Sequence, residues 1–365
     1  GWAREHRLDP AIDRHGNLWA LPAGWSGPIV TSGSHVDTVP DGGRYDGALG
    51  TVLGLELALD LAASEDGARA GLLVCAAEEA PRFGAGTIGS RRLTGALSAD
   101  ALASFHDADG TDGATALAGH LERLRGLPRI EPPLERWRAH VEIHVAQRRA
   151  LRTLGVVETV ASPRRFAVEI AGQAGHSGEV TMEERRDALA AAAEVVLAVE
   201  TAARAQPAQT VATVGTIEVS PGALSVIPGR ARLGIDVRGT DAGSLAEIEA
   251  AIRTAAAEIA ARRSVMANVA LLRGGDPVTM DPGLVEAALA AASARGISAT
   301  TTWSGAGHDA QHLSALAPAL LLFVPLHGGE SHTPDESADL DEIVQASEVA
   351  AAVLSAVALD SRSVV

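Results

Sequence analysis

Between residues 32 and 50 the chain reads SGSHVDTVPDGGRYDGALG, which sets His35, Asp37, Asp41 and Asp46 among glycines and small residues. An apolar run precedes this stretch and a helix-patterned apolar run follows it. His35 and Asp37 are one residue apart, so on a strand they project to the same side. A carboxylate beside a ligating imidazole fixes its tautomer and raises its basicity. Glycines around Asp46 let the backbone bend that carboxylate back toward His35. Taken alone, H-x-D in a loop reads equally well as a turn with solvated acids.

Three more clusters change that weighing. Glu78 and Glu79 close the apolar run AGLLVCAAEE, and adjacent carboxylates are costly to bury unless cations or protons compensate. They point in different directions, so one can hold a metal while the other handles a proton. In RAHVEIHVAQ, His140, Glu142 and His144 share one face of a strand, and periodicity does not choose between the two histidines. His332, in SHTPDES, follows the apolar run ALLLFVPLHGG. The combined donor set is nitrogen and oxygen without sulfur. It suits Zn²⁺ first and also Mn²⁺, Ni²⁺ or Co²⁺, with enough ligands for two ions and a bridging carboxylate.

Composition limits the class of protein that carries these residues. The 365 residues are enough for two domains. A formal charge of −16 argues against nucleic acid or an anionic membrane as partner. The one cysteine, Cys75, excludes an intrachain disulfide framework and a thiolate metal site; within GLLVCAA it reads as a buried strand thiol. No signal peptide stands out, and no apolar run approaches the ~20 residues that span a bilayer. The expectation is a cytoplasmic enzyme with a small-molecule substrate. The opening GWAREHRLDPAIDRHGNLWA reads as a helix end running into a hairpin, so a preceding segment is expected.

The elements that must position the candidate residues alternate strand and helix. GPIVTSGSHVD reads as a strand, GALGTVLGLELALDLAAS as a helix and AGLLVCAAEE as a doubly buried strand. Such alternation predicts an α/β domain with a mostly parallel mixed sheet flanked by helices. Ligands then gather at the carboxyl ends of the strands, where His35, Asp37, Glu78, Glu79 and His332 fall. Over 162–274 the order becomes strand RRFAVEIAG, helix MEERRDALAAAAEVVLAVETAAR, strands TVATVGTIEV and ARLGIDVRG, helix SLAEIEAAIRTAAAEIAARR and strand ANVALLRG. This β-α-β-β-α-β order is ferredoxin-like. The expected organisation is a discontinuous domain, 1–161 and 275–365, interrupted by a smaller α+β domain.

The motifs GSHVDTVPDGGRYDG, EEAPRFGAGTIGSR, EIHVAQ, AGHSG, SVIPGRARLGIDVR, GAGHDA and GGESHTPDE, in that order, resemble the amidase/hydantoinase/carbamoylase branch of the zinc aminoacylase–carboxypeptidase family. That branch includes N-carbamoyl-L-amino-acid hydrolases and allantoate amidohydrolases, and the resemblance covers nearly the whole chain. It implies that Asp46 bridges two metal ions, with His35 and His144 completing one site and Glu79 and His332 the other. Glu78 matches the general base and Asp37 the support of His35. The inserted block, 162–274, matches a lid and homodimerisation domain. There His176 of AGHSG matches a residue that polarises the scissile carbonyl, and Arg238 matches one that pairs with a substrate carboxylate. Gln147, Ser225 and Gly329 fall at further substrate-binding positions.

Three departures concern the substrate pocket. The family's H-I-E-Q-G run is HVAQRR here, so Ala146 and Arg148 replace a Glu and a Gly. Ser225 stands for an Asn, and EVTM for T-x-P-M. The implied activity is metal-dependent hydrolysis of a linear C–N bond in an N-carbamoyl-, ureido- or related N-substituted amino acid. An aminoacylase- or dipeptidase-like hydrolase is the alternative within enzymes, and a non-catalytic metal-binding homologue the alternative outside them.

Overall fold

A computed structural model describes residues 2–62, 69–147 and 150–359. After the short helix Trp2–Glu5, β1 (Leu8–Ile12) and β2 (Leu18–Pro22) form the expected hairpin. There follow β3 (Ile29–Ser32), the helix Ala48–Ala62, β4 (Ala70–Val74), β5 (Trp137–Val145) and β6 (Leu154–Val160). Next come β7 (Ser162–Ala171), the pair-forming fragments β8 (Gly175–His176) and β10 (Val226–Ile227), and β9 (Val211–Ser220). The last strands are β11 (Arg230–Gly239), β12 (Met266–Arg273), β13 (Val278–Thr279), β14 (Ala299–Ser304) and β15 (Ala319–Val324). Two compact units result: Gly1–Val160 with Thr279–Val365, and Ala161–Val278.

In the first unit the sheet order is β1-β2-β4-β3-β5-β15-β6-β13, with β14 also pairing β6. The pairs β3–β4, β3–β5, β5–β15 and β6–β14 are parallel, while β1–β2, β2–β4 and β6–β15 are antiparallel. The central strands β3, β4 and β15 are buried along their whole length, as strands covered on both faces must be. The helix Ala48–Ala62 presses onto β5 because Gly50 has no side chain: a Cβ there would lie 1.9 Å from the Ile143 carbonyl oxygen. Strand β3 ends at Ser32, earlier than GPIVTSGSHVD suggested, so His35 and Asp37 sit in an irregular segment beyond it.

The C-terminal helix Leu340–Leu359 qualifies the sequence reading, since it is long and apolar enough to cross a membrane by length and composition. Its apolar side, including Ile343, Ala346, Val349 and Val353, is nevertheless buried, and it packs on β5, β15 and the helix Pro282–Ala294. A core helix of a globular domain has this same character.

The second unit has four antiparallel strands in the order β12-β7-β11-β9. The helices Ala188–Arg204 and Ala242–Arg263 bury Val195, Val199, Leu245, Ile248 and Ile252 against Phe166, Val168, Leu233 and Ile235. Its connectivity is the split β-α-β-β-α-β pattern. The first helix starts six residues later than its apolar pattern proposed, because the Asp187 carboxylate caps it by accepting from the Leu189 and Ala190 N–H groups.

Candidate metal centre

Beyond the carboxyl ends of β3, β4, β5 and β15 the chain turns into loops that carry almost all the candidate ligands. His35 is fully buried, and its Nδ1 lies 2.9 Å from the Asp37 backbone oxygen. That contact makes Nδ1 the donor and leaves the Nε2 lone pair facing inward. At the end of β5, His144 places Nδ1 3.0 Å from the Val145 carbonyl, so its Nε2 is likewise turned inward. The two Nε2 atoms are 3.4 Å apart, and Asp46 Oδ1 lies 3.7 Å from the first and 3.0 Å from the second. The second Asp46 oxygen is 3.0 Å from His332 Nε2, which is 3.5 Å from Glu79 Oε1. Asp46 is thus shared by two groups, His35–His144 and Glu79–His332.

These spacings are those of atoms that face a common cation rather than each other. Ligands held tetrahedrally at ~2.0–2.1 Å from Zn²⁺ lie about 3.3 Å apart. Asp46 Oδ1 is buried yet has no hydrogen-bond donor among the described residues, and buried polar atoms left so are rare. The residues present therefore fit a divalent metal. The electrostatics agree. Burial alone would raise Asp46, but the imidazoles of His144, His332 and His35 around it hold it far below the usual carboxylate range. Burial disfavours a charge on His144, yet Asp46 and Glu142 push it up to about 9. The centre calls for positive charge, whether protons or metal ions supply it.

Glu78 approaches the first group, with Oε2 3.7 Å from His35 Nε2. Burial first, then Asp309, Glu142, Glu79 and Asp37, raise its carboxyl well above the ordinary value. The turn that presents it is built with strain, since the preceding Ala77 has φ 52°. Backbone bonds fix that turn: Ile88 N–H donates to the Ala77 oxygen at 2.9 Å and Thr87 N–H to the Glu78 oxygen at 2.7 Å. Asp37 divides its expected role. Its backbone oxygen orients His35, while its carboxylate stays 3.7 Å from the imidazole and accepts from the Glu78 and Glu79 N–H groups at 3.2 and 2.9 Å. It holds Glu78 and Glu79 as much as it holds the histidine.

Glu336 escaped the sequence reading, as did the supporting roles of Glu142 and of the GAGHDA residues His308 and Asp309. Glu336 is buried and accepts from the Tyr45 and Asp46 N–H groups at 2.8 and 3.0 Å and from Ser331 Oγ at 3.1 Å. It ties the Asp46 loop to the His332 loop, and its only signal was an acid within SHTPDES. Both Glu142 oxygens are engaged, by Ser34 Oγ at 2.8 Å and Ala310 N–H at 2.7 Å. Glu142 therefore supports His144 from behind, although Glu142, His144 and His308 also cluster closely enough to hold an ion. His308, from GAGHDA, packs edge-on against His144 with ring centroids 4.5 Å apart. Asp309 accepts from Ser90 Oγ at 2.5 Å. Glu336→Ala is expected to leave two N–H groups without their acceptor, lowering stability by about 2–4 kcal/mol and metal affinity about 10–100-fold. Urea unfolding and metal analysis check both.

The remaining candidates separate. His140, the rival of His144, is buried with Nδ1 2.9 Å from Thr31 Oγ1 and its ring against Trp137, so it is a core histidine. Asp41 is exposed at φ 55° in the turn, and Cys75 is buried. Gln147 Nε2 lies 3.5 Å from His332 Nε2, and Gln147, Gly329 and His332 line one polar recess of about 380 Å³. Arg148 lies outside the described residues. In the second unit, β8 and β10 pair His176 with Val226, which sets the exposed Ser225 beside it. Arg238 lies on β11 with Nε 2.8 Å from Asp236 Oδ2.

Residues 31–356 match the profile of Peptidase family M20/M25/M40. An N-carbamoyl-L-amino-acid amidohydrolase of Paenarthrobacter aurescens is 32% identical over 338 residues, covering 90% of this chain and 81% of that protein. An allantoate amidohydrolase of Bacillus subtilis is 33% identical over 341 residues, covering 90% and 81%. The crystal structure of an amidase of the hydantoinase/carbamoylase family from Burkholderia phymatum superposes with a TM-score of 0.84 at 33% identity, covering 98% of this chain and 87% of that one. Sequence match, fold and the clustered nitrogen and oxygen donors agree: this chain belongs to Peptidase family M20/M25/M40.

Proposed function

We propose that the protein is a metal-dependent amidohydrolase that cleaves a linear C–N bond in an N-carbamoyl-, ureido- or related N-substituted amino acid. The observation that carries this reading is the Asp46 carboxylate shared between His35–His144 and Glu79–His332, with Glu78 beside them. His35, His144, Asp46, Glu79 and His332 would hold two divalent ions, Zn²⁺ by donor chemistry, and such ions supply Lewis acidity and ready deprotonation of water. Glu78 takes a proton from the attacking water at Oε2 and returns it to the leaving nitrogen. A carboxyl already raised by burial and neighbouring acids suits that double task. Asp37 keeps Glu78 and Glu79 at a fixed mutual orientation through their backbone N–H groups.

The names of the relatives support the substrate class, since they specify N-carbamoyl-L-amino acids and allantoate. In the same reading Arg238 pairs with the substrate carboxylate through its forked guanidinium, and His176 polarises the scissile carbonyl. Gln147, Ser225 and Gly329 complete the substrate contacts. The unit Ala161–Val278 acts as lid and homodimer interface, which sedimentation velocity tests directly: a monomer at micromolar concentration sinks the dimer.

Ser225 and Ala146, at positions where the family carries Asn and Glu, favour a second reading in which an N-acyl amino acid is cleaved. The products distinguish the two. N-carbamoyl amino acids and allantoate are expected to release ammonia in a metal-dependent manner, with activity lost on chelation and restored by Zn²⁺ or Mn²⁺. Acyl cleavage releases free amino acid without ammonia. Bound metal with no turnover across both panels overturns the enzymatic reading.

A further inference from the structure

The second unit carries an unbalanced cluster of charge on the sheet face turned away from its helices. Leu233, Ile235 and Val237 of β11 and Phe166 and Val168 of β7 pack against the helices. Asp236, Arg238 and Arg165 alternate with them and so point to the other face. Arg165 stands directly opposite Asp236 on β11 and opposite Arg273 on β12. A bulge makes the second pairing: the β12 register shifts between Leu271 and Arg273, which passes over Leu272 and brings Arg273 to Arg165. Bulges re-aim side chains in this way and are common beside functional sites. Three guanidiniums and one carboxylate, all half-buried, therefore meet on three neighbouring strands.

The carboxylate is fully used. Asp236 Oδ1 accepts from Arg165 Nε at 3.0 Å and Oδ2 from Arg238 Nε at 2.8 Å. Arg273 makes no hydrogen bond or ion pair among the described residues. Glu249 and Asp276, two further acids of this unit, are held by Arg164. Burial first, then Arg165 and Arg238, work against the charge on Arg273, and Asp236 offsets them only in part. Like charges directly opposite each other destabilise a sheet, and a guanidinium does not escape by losing its proton. Three guanidiniums against one carboxylate leave an excess of two positive charges. Nothing among the described residues offsets that excess; a bound dianion does.

We propose that this face binds a dicarboxylate, with one carboxylate on Arg238 and the second between Arg165 and Arg273. Neighbouring strands lie about 4.8 Å apart, a span that the carbon chain of an aspartate- or glutamate-type diacid covers. Guanidinium forks take carboxylates through paired hydrogen bonds, and the surplus charge selects against neutral and cationic side chains. Resting on the reading in which Arg238 meets the substrate carboxylate, this narrows the substrate to an N-carbamoyl- or N-acyl-amino diacid.

Ammonia release by the metal-loaded full-length chain tests the substrate, with N-carbamoyl-L-aspartate and -glutamate set against the monoanionic N-carbamoyl-L-asparagine and -glutamine. The better diacid is expected to exceed its amide about 10–100-fold in kcat/KM, the scale of a hydrogen bond to a charged group. Arg273→Met removes that preference by raising KM for the diacid alone, at wild-type kcat and metal content. Its melting temperature without ligand stays at or above that of the wild type, whereas loss of a merely structural arginine lowers it. Calorimetry with succinate and with succinamate reads the same face without turnover. Succinate is expected to bind about tenfold or more tighter, and Arg273→Met to abolish the difference. Equal kcat/KM for diacids and amides, equal binding of succinate and succinamate, or an Arg273→Met variant that weakens both classes alike each overturns the proposal. Failure to hydrolyse any of the four compounds, with the succinate result intact, overturns the carbamoyl reading and leaves the dicarboxylate site standing.

Discussion

Glu78→Gln is expected to lower kcat by about 10²–10⁴-fold, the contribution of a positioned general base, while the metal content stays that of the wild type. Glutamine keeps the size and the backbone bonds that Asp37 makes to residues 78 and 79, so the turn survives. What it loses is the capacity to take up a proton. Four nearby acids and burial drive Glu78 toward its protonated form, and this bias makes proton capture favourable when the attacking water gives one up. Glu79, its neighbour, faces the other group, with Oε1 near His332, and does not substitute for it. Ammonia release measured alongside metal analysis separates base from ligand. Unchanged turnover in a metal-replete Glu78→Gln enzyme would falsify the assignment.

Gly47→Ala, which changes no candidate ligand, is expected to abolish metal retention and activity. Gly47 has φ +68°, and a Cβ there would lie 2.3 Å from both Nδ1 and Cε1 of His35. The left-handed backbone costs a residue with a side chain about 1–2 kcal/mol. The collision costs more, because the imidazole has nowhere to go: it is fully buried, held at Nδ1 by the Asp37 carbonyl, and Thr51 Oγ1 bonds its backbone oxygen at 2.9 Å. Its displacement moves Nε2 away from Asp46 and His144. Gly24→Ala supplies the control, since Gly24 has φ +69° and nothing within 4 Å of its would-be Cβ. The control variant should show only the backbone penalty, as a small fall in melting temperature with full metal content. Equal metal retention in the two variants would show that the His35 contact does not matter.

Much of this centre was legible because its chemistry is local in sequence. The turn around His35, Asp37 and Asp46, the Glu78–Glu79 pair and His332 each announce themselves as polar groups at the ends of apolar runs. The alternation of strand and helix, and its change after residue 161, follow from periodicity alone. Boundaries were less legible. Strand β3 stops three residues before His35, and the helix Ala188–Arg204 waits for its Asp187 cap. Local hydrogen bonding decides such ends, and an apolar pattern does not encode it.

Residues that act at long range were hidden. Glu336 reaches the Asp46 amide across 290 positions and Glu142 reaches Ala310 across 168; nothing in the spacing of either acid reveals that partner. Asp37 shows the same limit across 41 and 42 positions, since its carboxylate holds the Glu78–Glu79 turn more closely than it holds His35. The sequence by itself determined the fold class and the family and pointed to the residues of the candidate metal centre, because periodicity and motif chemistry are short-range properties. Periodicity left His140 and His144 equivalent, and only the resemblance pointed to His144 and to a shared Asp46. The tertiary structure supplies the physical grounds, with His140 satisfied by Thr31 in the core, Asp46 between two groups in space and Asp41 in solvent. Convergence of side chains from distant strand ends is set by how β3, β4, β5 and β15 pack side by side, and pairing of that kind is not written in any one segment.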